Sequence, residues 1–423
     1  MSFVRHEMAH MSDHGPSALD DVGAHAASTE TDPTASSSPA TVLAEPPAGE
    51  IRVSRRMSGW ERAARLLALV ALLYIFLVGV DILGEGISGL GSDFADTLFR
   101  GVANPLAGLA VGVLATVLVQ SSSLTTATIV ALVGTGVLSL EAAVPMVMGA
   151  NIGTSITNTL ASLGAIRRTN EFRRAFAGAT VHDLFNILAV IVLLPIELLT
   201  GVLSRGAVAL SGLFPGVTGG EFESPLKAAV GAGAGVFESM VGIVPGQGSA
   251  MLLIVLGLGL LFATLTLITK NMRLVVAGTA ERSLNAVLGR SGLVGILVGI
   301  VLTVGVQSSS ITTSLLIPMM AAGVLTLRNA YPLTLGANVG TTVTALIAAL
   351  AVPQVEGLQI ALVHLLFNIA GILIFYPAPF MREIPIKGAE RLGDLAARRK
   401  TAVAGYVVSM FIVLPAVLIL VLG

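Results

Sequence analysis

The chain repeats itself. Val119-Gln120-Ser121-Ser122-Ser123 returns 187 residues later as Val306-Gln307-Ser308-Ser309-Ser310, and its neighbours return with it. Thr125-Thr126 becomes Thr312-Thr313, and Pro145 becomes Pro332. Gly149-Ala150-Asn151-Ile152-Gly153-Thr154-Ser155 becomes Gly336-Ala337-Asn338-Val339-Gly340-Thr341-Thr342. Between residues 106 and 163 close to half the positions are identical in the two copies. A shorter echo sets Val181-His182-Asp183-Leu184-Phe185-Asn186 against Val363-His364-Leu365-Leu366-Phe367-Asn368. The fold must therefore be built from two related halves.

Those polar patches sit in a very apolar chain. Of 423 residues, 54% are hydrophobic and 12% charged, with a mean hydropathy of +0.88. That is too little charge to cover a soluble protein of this size, and it places the chain in the membrane class. A net charge of −1 gives no basic field for nucleic acid. Without cysteine there is neither a disulfide framework nor a thiolate metal site. Residues 1–50 are polar, hold four of the six histidines (His6, His10, His14 and His25), and read as a disordered tail.

A spanning helix needs about 20 apolar residues. Single spans are expected near 66–83, 140–163, 176–200, 249–269, 327–350, 360–380 and 402–422. Basic residues cluster before the first span and in 164–174, 270–290 and 381–400, which should be cytoplasmic. The acidic stretches 84–103 and 201–248 should lie outside. This gives a polar tail at 1–50, a first repeat at 51–200, an external connection at 201–248, a second repeat at 249–380, a basic cytoplasmic loop at 381–400 and a terminal helix at 401–423. The expected location is the cell membrane, multi-pass, with the amino-terminal tail cytoplasmic.

Two apolar stretches, 104–136 and 291–323, are too long for one span and too short for two. Each reads as a re-entrant helical hairpin with its polar patch at the tip, which is tolerable only if the tip lines a protein cavity. By loop charge the first hairpin opens outward and the second inward. The expected fold is thus an all-α polytopic membrane protein of two inverted repeats, each with a re-entrant hairpin and a discontinuous helix. That is the build of secondary transporters.

Each patch is rich in hydroxyls and amides and has no Arg, Lys or His. Gln120, Ser121, Ser122 and Ser123, with Gln307, Ser308, Ser309 and Ser310, are the candidate anion ligands, because a helix that starts in serines offers free backbone N–H groups. The hydroxyls that follow, Thr125 and Thr126 with Thr312 and Thr313, join Asn151, Thr154 and Ser155 and Asn338, Thr341 and Thr342 as candidate sodium ligands. The glycines around each Asn are expected to let the helix unwind and expose carbonyls. An uncharged site holds a dianion only if cations share it. His182, Asp183 and His364 are expected near helix ends. Asp183, replaced by Leu365 in the second half, is the candidate for an extra sodium site, with an ion pair to Arg173 or Arg174 as its alternative.

Both Gln-Ser-Ser-Ser segments and both Gly-Ala-Asn-(Ile/Val)-Gly-Thr segments resemble those of the type II sodium/phosphate cotransporters. So do residues 73–83, 175–186, 192–197 and 364–382, and the resemblance covers roughly 60–422. It implies sodium-driven uptake of hydrogen phosphate, with sodium as the coupling ion, no organic cofactor and no enzymatic activity. It also implies a phosphate site at the paired 120–123 and 307–310 segments. Ala177, Ala179 and Asp183 look like the pattern of the electrogenic branch. The short, cysteine-free 201–248 departs from the animal members and points to a prokaryotic relative. Transport of another oxyanion (sulfate or a carboxylate), an intramembrane serine hydrolase using His182 or His364, and a channel are the competing readings.

Overall fold

The computed structural model describes residues 58–91, 101–213, 225–244, 247–287 and 292–423. The 1–50 tail and residues 92–100 of the 84–103 stretch lie outside these residues. Among the described residues every regular element is helical. Five helices are long and apolar enough to cross a membrane, namely α1 (Gly59–Ser88), α6 (Thr169–Thr200), the Gln247–Asn271 part of α9 (Gln247–Val287), α13 (Val355–Phe375) and α15 (Lys400–Leu422). Their outward residues, such as Leu67, Leu199, Leu373 and Leu420, are exposed and apolar. Water is a poor solvent for such continuous faces and lipid a good one. The chain is a polytopic helical membrane protein.

Each serine stretch joins two short helices. In the first half these are α2 (Pro105–Val119) and α3 (Ser122–Gly134); in the second, α10 (Gly292–Val306) and α11 (Ser309–Ala321). At about 1.5 Å per residue none of the four reaches across a bilayer. Each pair is followed by a longer element that Ser139 or Thr326 caps through its hydroxyl. In the first half that element is α4 (Leu140–Thr154), interrupted at Ser155 and continued by α5 (Ile156–Ser162). In the second it is α12 (Leu327–Ala348), one unbroken helix.

The unwinding expected at Gly-Ala-Asn-x-Gly-Thr is therefore a single break at Ser155 in one copy and absent from the other. The glycines serve packing instead. A Cβ on Gly149 would stand 2.0 Å from the Leu109 carbonyl oxygen of α2, and one on Gly336 would stand 2.0 Å from Ile296 O of α10. The facing Gly112 and Gly299 are as tight, 2.0 Å from Met146 O and 2.2 Å from Leu333 O. Small residues let two backbones touch, and the contact recurs in both halves.

The halves interlock. α6, from the first half, packs on α11 and α12; α13, from the second, packs on α3 and α4. Each serine-led helix is also held at its far end by the opposite half. Arg174 of α6 donates from Nε to the Met320 and Ala321 carbonyls (3.1 and 2.9 Å) at the end of α11. The Gln354 N–H, just before α13, donates to Gly134 O (3.1 Å) at the end of α3.

Two stretches read from charge alone as loops hold helices. Residues 201–248 contain α7 (Val202–Ser211) and α8 (Pro225–Val241). Residues 381–400 lie almost wholly in α14 (Pro379–Arg398). Its buried residues, Pro385, Ile386, Ala389, Gly393 and Ala396, recur at helical spacing and face α6, leaving the charges outside. Arg173 of α6 pairs with Asp394 of α14 at 3.1 Å.

Candidate functional site

Gln120 and Gln307 are the only non-glycine residues with positive φ among those described, at 57° and 55°. The left-handed conformation costs an ordinary residue about 1–2 kcal/mol, so something must fix it. The side chain does. Gln120 Nε2 donates to Val117 O (2.6 Å), and Gln307 Nε2 donates to Val304 O (2.7 Å). Thr157 and Thr344, another pair at the repeat spacing, donate their hydroxyls to Gln120 Oε1 (3.3 Å) and Gln307 Oε1 (3.1 Å). Both glutamines thus cap the helix they end and brace the turn.

The next residue starts the second helix. Ser121 Oγ accepts from the Leu124 N–H (3.2 Å), and Ser308 Oγ accepts from the Ile311 N–H (3.3 Å). These are N-cap bonds. The hydroxyls of Ser122, Ser123, Ser309 and Ser310 follow in the first turn and have no hydrogen-bond partner among the described residues. All eight residues of the two stretches line one cavity of about 410 Å³, within the roughly 300–1,000 Å³ of small-molecule sites. Two helix N-termini and four uncommitted hydroxyls therefore share one space.

A chain of side-chain amides crosses from one half to the other. Thr313 Oγ1 donates to Asn158 Oδ1 (2.7 Å), and Asn158 Nδ2 donates to His182 Nδ1 (3.2 Å). His182, protonated on Nε2 by this pattern, donates to Asn338 Oδ1 (2.6 Å). Asn338 Nδ2 donates to Asn186 Oδ1 (2.7 Å), and Asn186 Nδ2 donates to Asn151 O (2.8 Å). All six residues are buried. The expectation that His182 and His364 lie near helix ends is wrong. His182 is fully buried well inside α6, which starts at Thr169, ahead of the apolar run, and His364 is buried in α13. Neither imidazole is hydrogen-bonded to a serine hydroxyl.

Asp183 is fully buried too. It pairs with neither Arg173 nor Arg174, whose partners are Asp394 and the end of α11. Tyr406 donates its hydroxyl to Asp183 Oδ2 (2.9 Å), while Oδ1 is buried without a hydrogen bond. Ser155 and Thr159 stand beside the carboxylate. The carboxylate and the hydroxyls beside it are hard-oxygen donors, the type of ligand that alkali and alkaline-earth cations take.

The other candidate sodium ligands fall into two groups. Thr313, Asn151 and Asn338 belong to the crossing network. Thr126, Thr154, Thr312 and Thr341 donate to carbonyls one turn back at 2.9–3.2 Å, as Thr125 does at 3.1 Å. Ser155 and Thr342 donate to carbonyls three residues back. Their oxygens keep lone pairs, and their protons are committed. Thr157, Thr344, Asn158 and Thr159 escaped the sequence reading. The two threonines are visible as one more pair at the 187-residue spacing, whereas Asn158 faces Ala345 in the second copy and gave no repeat signal.

The Na+/Pi-cotransporter family pattern matches residues 75–211 and 260–383, and the chain belongs to that family. It is 34% identical to the sodium-dependent phosphate transport protein 2B of Homo sapiens over 443 residues, which cover 83% of this chain and 64% of that one. The 2B protein of Pongo abelii gives the same values. The 2A protein of Ovis aries is 33% identical over 425 residues, covering 82% and 66%. The chain thus spans just under two thirds of the length of these relatives. No solved structure matches it.

Proposed function

We propose that this chain is a sodium-coupled symporter that imports inorganic phosphate as hydrogen phosphate by alternating access, without enzymatic activity. One observation carries the reading: both Gln-Ser-Ser-Ser stretches, far apart in sequence, line a single cavity. On this reading α2–α3 and α10–α11 are re-entrant hairpins of two inverted repeats, and their serine-led N-termini grip the anion from two sides. Ser122, Ser123, Ser309 and Ser310 supply the hydroxyls. Gln120 and Gln307, with Ser121 and Ser308, hold the turns in shape.

Sodium shares the site to offset the dianion. Asp183 with Ser155 and Thr159 is the best-founded seat, because its buried Oδ1 has no well-formed hydrogen bond and the two hydroxyls stand beside the carboxylate. Thr125, Thr126, Asn151, Thr154, Thr312, Thr313, Asn338, Thr341 and Thr342 are the remaining candidates. The names of the relatives support phosphate over sulfate or a carboxylate, and uptake competition separates these cargoes. A serine hydrolase would need a base on a serine, and neither imidazole is hydrogen-bonded to a serine hydroxyl. A channel would not concentrate phosphate.

The test is labelled phosphate uptake into proteoliposomes with and without a sodium gradient. Wild type is expected to accumulate phosphate only with sodium. Ser122→Ala combined with Ser309→Ala should cut uptake at least about tenfold, since two hydrogen bonds to a charged ligand are worth roughly 1.5–3 kcal/mol each. Accumulation independent of sodium, or full uptake by the double variant, would sink the proposal.

A further inference from the structure

The serine stretches do not enclose their cavity alone. One wall is a stripe of α9: Phe262, Leu265, Thr266, Thr269 and Lys270. Their spacing, i, i+3, i+4, i+7 and i+8, puts all five on one helix face. The stripe changes character along its length, from apolar at Phe262 and Leu265 to hydroxyl at Thr266 and Thr269, then to a cation at Lys270. Lys270 is exposed, follows the apolar run of α9, and has no acidic partner among the described residues.

A lysine at the end of a span ordinarily extends to the headgroups. Here it lies on the cavity-facing stripe, a turn beyond Thr266, and it is the only positively charged residue among the cavity's lining residues. The serine site itself is neutral. An anion passing between solution and that site therefore meets one fixed positive charge, at the rim of a low-dielectric cleft that focuses its field. Two hydroxyls, Thr266 and Thr269, share the cavity wall with that charge.

We propose that Lys270, with Thr266 and Thr269, forms an outer anion station at the mouth of this cavity. There the doubly charged oxyanion is collected before it enters the serine site and retained briefly as it leaves. The station rests on the phosphate reading above and extends it. It is specific to the face to which this cavity opens, because the cavity has one such wall. It sets how much phosphate half-saturates that face, and it leaves the maximal rate and the sodium requirement unchanged.

The experiment is sodium-driven flux of labelled inorganic phosphate in proteoliposomes, with influx and efflux measured separately. Lys270→Met is expected to raise the half-saturating phosphate concentration at one face by about fivefold, the scale of a partly screened single charge on a dianion. The maximal rate, the other face and the half-saturating sodium at saturating phosphate should not move, and Lys270→Arg should restore the wild-type value. In wild type the half-saturating phosphate at that face should climb with ionic strength at fixed sodium; in Lys270→Met it should be flat. This salt dependence needs no variant, so wild type showing none would by itself overturn the station. Sodium-driven phosphate flux with wild-type half-saturation in Lys270→Met would overturn the station while leaving the symporter reading intact. A wild-type chain that fails to accumulate phosphate would overturn both.

Discussion

His182 is hydrogen-bonded through both ring nitrogens, whereas His364 has one partner, Asn151 Oδ1 at 3.4 Å, and a buried Nδ1 without any. Asn186 bridges to Asn338 and to the Asn151 backbone; Asn368 turns back to its own helix, donating to His364 O (3.1 Å), and its Oδ1 is unpartnered. The halves match where they build turns and tight helix contacts and differ where they reach across to each other. Part of that difference is written in the sequence, since the place of Asn158 is taken by Ala345. Part is not, because Asn186 and Asn368 are the same residue in the same local motif. A difference between identical residues is one of arrangement. On the symporter reading proposed above it belongs to the conformation, and alternating access predicts that it reverses when the cavity opens to the other side.

The comparison can be broken most forcefully at the matched positions. Gly149→Ala and Gly336→Ala should destabilise the protein equally, by about 1–3 kcal/mol or more from overpacking against backbone, and yield of monodisperse protein with its thermal midpoint would show it. A large inequality would mean the two helix contacts are not equivalent. Asn158→Ala is expected to follow, at about 1–3 kcal/mol, because it strips partners from His182 and from Thr313. Asn186→Ala should cost about the same and Asn368→Ala less than about 1 kcal/mol, since the second makes one bond along its own helix. Thermal melting of the two variants side by side checks this, and equal losses would refute the asymmetry.

Much of this was legible beforehand, for a physical reason. Repeated hydroxyls inside apolar runs have few solutions in a membrane, so 120–123 and 307–310 could be located and paired from residues alone. Five of the seven expected spans appear as helices long and apolar enough to cross a membrane; 140–163, broken at Ser155, and 327–350 are not among them. What escaped depends on facts that hydropathy does not carry. The start of α6 at Thr169 is hidden by Arg173 and Arg174, and the depth of His182 was misjudged with it. α14 looks like a basic loop until its buried residues are read at a period of 3.6. Gly149 and Gly336 suit both an unwound helix and a close contact, and only the opposing carbonyl decides between them. Lys270 sits in a stretch whose composition says span end, and the neighbouring serines are assigned to it by packing alone.

The far-end anchors of the two serine-led helices are unequal in kind. α11 is gripped by a guanidinium whose charge complements the carbonyl pole of the helix, while α3 is held by one neutral amide. A hydrogen bond with a charged donor is roughly twice as strong as a neutral one. The two helices are thus tethered unequally, α11 by charge-assisted hydrogen bonds and α3 by a neutral one.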